Sequence, residues 1–474
     1  ADKGVGKGDT VAAMLPNIPP MLECHFGIPM LGAVLNALNT RLDAKAIAFM
    51  LEHGEAKVLI ADREFGDVIN EAVGMLDNPP QGIDVNDPEF SGAGTQVSDL
   101  DYDAFVASGD PAFDWQMPEN EWDAISLCYT SGTTGRSKGA MLTQRNLLSN
   151  AETLVDTWRF SDTDVLLHAL PIFHSHGLFV ATNVSLLSGA AMIFLPKFDL
   201  EAVLEALPRA TSMMGVPTFY TRLLDDPRFD KDLVSHMRLF ISGSAPLLAE
   251  THERFEKRTG HRILERYGMT ETSMNTSNPY DGERRAGTVG FPLDGVEIEV
   301  RDPDTGNPMP AGEIGVLWVR GPNVFKGYWQ MPEKTAEELR EDGFFITGDL
   351  GLIDDRGYIH IVGRGKDLII SGGYNIYPKE IELFLDDLPG VLESAVIGAP
   401  HPDFGESVVA VLVPEAGATL DADAVLEAVS RDMAGFKRPR RVEIVDALPR
   451  NTMGKVQKAQ LRETYADAFQ PAKA

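Results

Sequence analysis

The first feature of this 474-residue chain is the alternation of short apolar runs with amphipathic stretches. Through the first half, β-rich runs such as DTVAAML, KVLIAD and DVLLHAL alternate with helix-like segments such as DAKAIAFMLEHG and LAETHERFEKRTG. Strands that are buried between layers of helices produce this pattern. The sequence therefore predicts an α/β fold whose layers contain largely parallel sheets.

The pattern changes at about residue 295. Residues 295–361 contain closely spaced strands separated by turn signals, which predict antiparallel sheet or a small β-barrel. Beyond Gly363, short strands surround helices, as in a small α+β domain. We therefore predict a large N-terminal domain over residues 1–363 and a small C-terminal domain over residues 364–474.

Composition and charge exclude several classes of protein. The chain has 42 basic and 71 acidic residues, and its net charge of −29 disfavours binding to nucleic acid or to an anionic membrane. The two cysteines, Cys24 and Cys128, are too few and too far apart for a disulfide framework or a zinc site. Residues 177–196 are strongly apolar but contain Asn183, so they predict a buried helix and strand. The chain starts without an apolar signal core, so we expect a cytoplasmic protein.

The stretch YTSGTTGRSKGAM, residues 129–141, is the first candidate for chemistry. It follows a strand-like run, and its glycines, hydroxyl groups and lysine suit an anion-binding loop. Only two residues separate Gly132 from Gly135, whereas the Walker A pattern needs four between its glycines. Taken alone, the stretch is either a phosphate-binding loop of another kind or an ordinary turn.

Further motifs follow in a fixed order: ERYGMTE at 265–271, ITGD at 346–349, GRGKD at 363–367 and PRNTMGK at 449–455. Together with the loop they resemble the adenylate-forming superfamily of acyl-CoA synthetases, nonribosomal adenylation domains and firefly luciferase. From about residue 128 the chain is most similar to malonyl-CoA (methylmalonyl-CoA) synthetases. The preceding part is more similar to medium-chain or methylthio-acid CoA ligases, so the chain is either a natural intermediate or a chimera.

This resemblance implies a reaction in two steps with ATP, Mg²⁺ and coenzyme A. The acid attacks the α-phosphorus of ATP and releases pyrophosphate, and the CoA thiol then displaces AMP. By resemblance, Lys455 would bridge the acyl carboxylate and the α-phosphate, and Glu271 and Thr270 complete the catalytic set. Glu271 would also bind Mg²⁺ together with the Thr130 hydroxyl. The small C-terminal domain is expected to be mobile between the two steps, with its hinge at Lys366.

The resemblance also assigns residues to ATP and to CoA. Tyr267 would offer its ring to adenine, and Asp349 would bind the ribose. The full ATP set is Thr130, Ser131, Gly132, Thr133, Thr134, Gly135, Lys138, Gly243, Ser244, Ala245, Glu265, Arg266, Tyr267, Gly268, Met269, Thr270, Asp349 and Arg364. The CoA set is Ser371, Gly372, Gly373 and Lys437.

The acyl-substrate set is His174, Ser175, His176, Ser242, Met274 and Arg284. The segment FHSHG at 173–177 lacks the aspartate that amino-acid-activating relatives place after the phenylalanine, which disfavours an amino acid. Met274 beside Ser175 suits a short acid. Arg284 and Arg285 are the candidate cations for a second carboxylate, or else they are solvated turn residues. His174 either gates the pocket or is a buried structural histidine.

These observations predict a malonyl-CoA synthetase that also accepts methylmalonate, with small molecules as its partners. The alternatives are a medium-chain or methylthio-acid CoA ligase of the same superfamily and a non-catalytic binding protein. By resemblance, Lys455 is also a candidate site for a lysine acetyltransferase and deacetylase. Acetylation would remove the charge that bridges the two anions.

Overall fold

The computed structural model describes residues 1–115, 117–130, 137–372, 374–451 and 454–469. It divides into two compact units. The first contains Ala1–Ile298 and Val319–Phe345, and the second contains Glu299–Trp318 and the chain from Ile346 onward.

The strands of the described residues are, in chain order, β1 Thr10–Met14, β2 Val34–Ala37, β3 Ala56–Asp62, β4 Gln81–Val85, β5 Ala124–Thr130, β6 Lys138–Thr143, β7 Val165–His168, β8 Ala191–Phe194, β9 Ser212–Gly215, β10 Leu239–Ser242, β11 Leu264–Met269, β12 Ser273–Ser277, β13 Phe291–Pro292, β14 Glu297–Arg301, β15 Gly315–Arg320, β16 Gly327–Tyr328, β17 Phe345–Ile353, β18 Ile359–Arg364, β19 Ile369–Ser371, β20 Tyr374–Ile376, β21 Val391–His401, β22 Gly405–Pro414 and β23 Arg441–Ile444.

The helices are α1 Pro19–Met30, α2 Ala44–His53, α3 Gly66–Val73, α4 Tyr102–Ala107, α5 Gln144–Trp158, α6 Thr182–Ser188, α7 Leu200–Ala206, α8 Pro217–Leu224, α9 Lys231–Val234, α10 Ala249–Thr259, α11 Pro332–Glu338, α12 Pro378–Asp386, α13 Ala422–Asp432 and α14 Lys458–Thr464. A π-helical turn, His176–Ala181, precedes α6.

Two large sheets form the first unit. One has the order β16-β6-β5-β2-β1-β3-β4, and its strands from β5 to β4 run parallel, while β6 and β16 pair antiparallel at one edge. All five residues of β1 are buried, as expected for a parallel strand that is covered on both faces.

The second sheet of this unit has the order β13-β12-β11-β10-β9-β7-β8. Its strands from β8 to β11 run parallel, and β12 and β13 continue it antiparallel. A core of fully buried aromatic side chains supports it, among them Trp158, Tyr220, Phe240 and Phe255. Rigid packing behind β10 and β11 holds the ends of these strands in place.

The second unit contains two smaller sheets. Residues 295–361, for which we predicted antiparallel sheet or a small barrel, contribute a four-stranded sheet with the order β14-β15-β17-β18. The C-terminal part forms the sheet β20-β19-β22-β21, with β23 paired to β22 and with α12, α13 and α14 packed on it. The predicted α/β class, with parallel-rich sheets followed by a smaller C-terminal α+β part, is confirmed.

The domain boundary predicted after Gly363 stays a prediction, and the compact units divide the chain at other residues. Strands β17 and β18 pair antiparallel on both sides of the turn at residues 354–358, so they stay together in the second unit. The apolar stretch at 177–196 forms the π-helical turn, α6 and β8, as predicted. Among the described residues, no helix combines the length and apolarity needed to cross a membrane.

Both cysteines are buried free thiols. Burial raises the pKa of Cys24 to about 12 and that of Cys128 to about 11. Neither thiol is therefore ionised at neutral pH, and a role as a nucleophile or metal ligand is disfavoured.

Candidate active site

The phosphate-loop candidate lies between two antiparallel strands of the first sheet. Strand β5 ends at Thr130 and β6 begins at Lys138, and these two residues are paired across the hairpin. The Thr130 hydroxyl lies 3.5 Å from the Lys138 carbonyl oxygen. The predicted loop residues Ser131, Gly132, Thr133, Thr134 and Gly135 fall outside the described residues. Both ends of the loop are therefore placed, and its tip stays a prediction.

Lys138 belongs to a cluster that sequence analysis missed. Its ammonium nitrogen lies 3.0 Å from the Tyr328 hydroxyl and 3.3 Å from each carboxylate oxygen of Glu338. The same hydroxyl lies 3.0 Å from Oε1 of Glu271 and 2.6 Å from Oε2 of Glu338. The cluster thus connects the loop lysine to the predicted Mg²⁺ ligand, through residues some two hundred positions away.

The ERYGMTE motif forms strand β11 and the turn that follows it. Tyr267, Gly268 and Met269 are half-buried at the end of the strand, and the Thr270–Glu271 turn leads into β12. A Cβ atom on Gly268 would lie 2.0 Å from the Ser273 carbonyl oxygen, so only glycine fits there. The motif therefore builds a tight hairpin that carries the Glu271 carboxylate into a buried position.

The most unusual group in the first unit is the guanidinium of Arg266. Its side chain is 3% exposed, and its Nε and Nη2 atoms have no hydrogen-bond partner within the described ranges. Burial lowers the pKa of Arg266 from 12.5 to about 9. It remains protonated at neutral pH, so the protein buries a cation whose hydrogen-bonding capacity is only partly used.

The residues next to this guanidinium explain how it fits. Gly243 follows strand β10, and a Cβ atom there would lie 2.3 Å from Cζ of Arg266. The adjacent Ser244 has a φ of +69°, and its hydroxyl lies 3.1 Å from Nδ1 of His176. Nε2 of His176 and the hydroxyl of the buried Ser242 lack hydrogen-bond partners in the described part of the chain.

Burial, followed by the charge of Arg266, lowers the pKa of His176 well below its usual value. The imidazole is therefore neutral at physiological pH and can offer a single N–H group or lone pair. Arg266, His176, Ser244 and the Ser242 hydroxyl are polar groups near the ends of β10 and β11, where the buried Glu265 carboxylate and Tyr220 also act on the Arg266 charge. Polar groups of this kind suit a small anionic ligand.

The remaining acyl-substrate candidates are near the same strands. Met274 is buried in β12, and its main-chain oxygen accepts hydrogen bonds from the side chains of Asn150 and Asn323. Ser175 is buried just before the π-helical turn, and Nδ1 of His174 lies 3.3 Å from the main-chain nitrogen of His176. Ala245 is half-buried after Ser244.

Arg284, which we expected to hold a second carboxylate, has a different arrangement. Its guanidinium donates to the main-chain oxygens of Pro279, Arg262 and Tyr280, at 3.3, 2.8 and 2.9 Å. Three of its five N–H groups thus donate to main-chain oxygens, two in its own loop and one at Arg262. The role of Arg284 in binding the acid therefore stays a prediction, and Arg266 is the more deeply buried arginine of the two, with Nε and Nη2 lacking partners among the described residues.

In the second unit, the structure brings Asp349 and Arg364 together. They are paired residues of β17 and β18, and Nε of Arg364 lies 2.6 Å from Oδ1 of Asp349. Asp349 is 3% exposed, so its carboxylate is held in one position. Lys366 follows in a single 3₁₀ turn, where burial lowers the pKa of its ammonium group.

The predicted CoA residues surround an exposed aromatic pair. Ser371 ends β19 and Gly372 has a φ of +56°, whereas Gly373 lies outside the described residues. Beyond them, the rings of Tyr374 and Phe436 stack with centroids 4.8 Å apart. Lys437 pairs with Glu380 at 2.5 Å. The aromatic pair is a surface that sequence analysis did not identify.

Lys455 lies in a turn of the second unit, and ion pairs on both sides of the turn connect it to the rest of that unit. Oδ1 of Asn451 accepts a hydrogen bond from the Lys455 main-chain nitrogen at 2.9 Å. Arg450 pairs with Glu393, and Lys458 pairs with Glu382 at 2.5 Å. The Lys455 side chain is exposed at the end of this turn.

Comparisons with known proteins identify the family. Residues 1–329 match the model of the AMP-binding enzyme, and residues 380–455 match that of the AMP-binding enzyme C-terminal domain. The chain belongs to the AMP-binding enzyme family. It is an AMP-forming acyl-CoA ligase that uses ATP, CoA and an acid.

Several relatives of this ligase have names or structures. A feruloyl-CoA synthase from Amycolatopsis is 39% identical over 98% of the chain and 90% of its own length. A malonate–CoA ligase from Arabidopsis thaliana is 38% identical over 72% of the chain and 61% of its own length. The crystal structure of ATP-bound MatB from Rhodopseudomonas palustris is 52% identical, has a TM-score of 0.92, and covers 99% of this chain and 91% of that one. This likeness thus includes the residues before 128.

Proposed function

We propose that this ligase forms malonyl-CoA, with methylmalonate as a second acid that it accepts. The buried guanidinium of Arg266 carries this proposal. One carboxylate of the acid must react with ATP, so only a dicarboxylate has a second one to pair with Arg266. A buried cation that lacks such a partner costs several kcal/mol, and a bidentate carboxylate is the ligand that best relieves this cost.

The surroundings of Arg266 support a short acid. The neutral His176 and the hydroxyl of Ser242 offer additional hydrogen bonds, whereas the buried Met274 presents an apolar side chain. A medium-chain, methylthio or aromatic acid would instead bring an apolar group to the guanidinium, and Nε and Nη2 would stay without acceptors among the described residues.

The relatives support the same substrate, although their names differ. Malonate appears in the name of the Arabidopsis relative, and the MatB structure is more similar in sequence than the curated relatives described above. Feruloyl-CoA synthase and an indoleacetate–CoA ligase, 35% identical, carry the names of aromatic acids. The names of the relatives therefore do not identify the acid, and the structural support for malonate is the buried guanidinium of Arg266.

For the ATP step, we assign Lys455 to the acyl carboxylate and the α-phosphate. Two anions must meet, so charge stabilisation and positioning dominate the catalysis. Glu271 and the Thr130 hydroxyl supply oxygen donors, which fit Mg²⁺. When bound, Mg²⁺ neutralises charge on the phosphates. Tyr328 orients the Glu271 carboxylate through its hydroxyl.

For the thioester step, we assign the exposed pair Tyr374 and Phe436 to the CoA side. Aromatic faces of this kind stack on nucleotide bases, and Lys437 supplies a positive charge beside them. Gly372, with its positive φ, allows a close approach of the chain to a narrow ligand.

The experiment that tests this function measures acyl-CoA and pyrophosphate formation with a panel of acids. The panel contains malonate, methylmalonate, acetate, octanoate, methylthiopropionate and ferulate, each at equal concentration with ATP, Mg²⁺ and CoA. We expect malonate to have the highest kcat/KM. A preference for any of the monocarboxylic acids would overturn the dicarboxylate proposal.

A further inference from the structure

Lys138 is held by a carboxylate of its own unit. Its ammonium group lies equally far, 3.3 Å, from both oxygens of Glu338, and it sits 4.2 Å from the centre of the Tyr328 ring. The side chains of Lys138 and Glu338 are 21% and 22% exposed. This ion pair is thus partly shielded from water, yet open enough for another anion to exchange with Glu338.

The Tyr328 hydroxyl connects this pair to Glu271. A hydroxyl has one proton to donate, and here it faces Glu338 at 2.6 Å and Glu271 at 3.0 Å. Lys334 also contacts Glu338, at 3.0 Å. Glu338, the last residue of α11, is therefore held by Tyr328 and Lys334 even when Lys138 leaves it.

We propose that Glu338 competes with the phosphates of ATP and pyrophosphate for Lys138, and so weakens pyrophosphate binding enough for this product to leave. The inference rests on the ATP-binding role that the resemblance gives Lys138, which we take as contact with the β- and γ-phosphates, the part of ATP that leaves as pyrophosphate. A cation that binds these phosphates in ATP binds them again in the product, so it retains pyrophosphate equally well. A carboxylate that reclaims the cation lowers both affinities.

The competition acts through charge more than through shape. Glu338→Gln keeps an oxygen that accepts from Tyr328 and Lys138, but it removes the negative charge. Lys138 is then free to pair with a phosphate at no cost of breaking an ion pair. We expect affinity for pyrophosphate to rise by about three- to tenfold, as for the loss of a partly shielded competing ion pair.

The test is calorimetric titration of the complete chain with Mg²⁺-pyrophosphate, which needs no acid substrate. Glu338→Gln should bind pyrophosphate more tightly and show a lower KM for ATP, with an unchanged KM for malonate. Structural damage would weaken binding, so a gain of affinity separates the proposed role from a merely structural one. Glu337→Gln is the matched control, since Glu337 lies on the same helix and pairs with Lys334 at 2.7 Å.

A second pair of variants tests the route through Lys138. In a Lys138→Met background, Glu338→Gln should no longer increase pyrophosphate affinity, because the cation for which Glu338 and pyrophosphate compete is gone. Unchanged or weaker pyrophosphate binding in Glu338→Gln would overturn the inference. So would an equal gain in the two backgrounds. The acid panel with the parent enzyme tests the malonate proposal separately, so the two can fail independently.

Discussion

Replacing Arg266 by methionine should make the ligand-free enzyme more stable and a poor malonate ligase. Methionine has a similar length and no charge, so it fills the buried space without demanding hydrogen bonds. The guanidinium it removes is 3% exposed, with Nε and Nη2 unpartnered among the described residues. A single substitution is thus expected to move stability and activity in opposite directions.

The pKa of Arg266 sets the magnitude. Burial lowers this pKa from 12.5 to about 9. At about 1.4 kcal/mol per pKa unit, the protonated form costs the folded state about 5 kcal/mol more than the neutral form, which sets the scale of what Arg266→Met can recover. The penalty is fully present below pH 9, where the buried group is protonated. It declines as the pH rises from about 9 towards 12.5, so the advantage of the variant should shrink over that range.

For activity with malonate, the same substitution should be unfavourable, because it removes the cation that pairs with the second carboxylate. Removing one member of a buried charge pair costs about 3–5 kcal/mol, which corresponds to a loss of about 10²- to 10⁴-fold in kcat/KM. Activity with acetate, which lacks the second carboxylate, should change much less.

The assay combines urea unfolding of the ligand-free proteins at pH 7.5 and at pH 9.5 with pyrophosphate release from malonate and acetate. Arg284→Met is the control. This substitution removes the hydrogen-bond donor of the Pro279, Arg262 and Tyr280 carbonyl oxygens. It should destabilise the protein by about 1–3 kcal/mol and leave the KM for malonate unchanged. A destabilised Arg266→Met that still uses malonate normally would refute the reasoning, and a malonate defect confined to Arg284→Met would return the role to Arg284.

Three further substitutions test the roles proposed for residues of the two units. Lys455→Gln should slow malonate-dependent exchange between ATP and pyrophosphate by about 10²- to 10³-fold, while the reaction of added malonyl-adenylate with CoA continues; equal losses in both assays would contradict the assignment. Gly243→Ala should raise the KM for malonate more than that for acetate, because its Cβ would meet Cζ of Arg266 at 2.3 Å; equal changes would argue against the contact. Phe436→Ala should raise the KM for CoA by about five- to tenfold and leave pyrophosphate release unchanged, since it removes one ring of the stacked pair with Tyr374; an unaltered KM for CoA would place CoA elsewhere.

Much of the fold could be predicted from local patterns. Runs such as TVAAM in β1 and LFIS in β10 are apolar except for one hydroxyl residue at an end, which indicates strands covered on both faces. The alternation of such runs with amphipathic helices predicts parallel sheets without any knowledge of pairing partners. The limits of the two compact units are harder to predict from sequence. They depend on the pairing of β14, β15, β17 and β18, which joins strands that are distant along the chain.

In the candidate site, too, local motifs predict some residues, and only long-range contacts reveal others. Motif order indicated the reaction class through the family resemblance, and it placed Glu271, Asp349 and Arg364 in segments where the structure finds a buried carboxylate and an ion pair whose carboxylate is buried. Tyr328 and Glu338 carry no local signal, because Glu338 lies two hundred residues from Lys138 along the chain.

The sequence by itself determined the family, the reaction class and the succession of elements, because each of these is written in short runs of neighbouring residues. It did not determine which arginine is available for the substrate. Arg284 occurs in a glycine-rich stretch that suggests a pocket, whereas Arg266 occurs inside a strand. Only the tertiary structure distinguishes their surroundings, since burial depends on what the fold brings from elsewhere. Main-chain oxygens from its own loop and from Arg262 occupy Arg284, while the bare backbone of Gly243 leaves room for a buried guanidinium at Arg266.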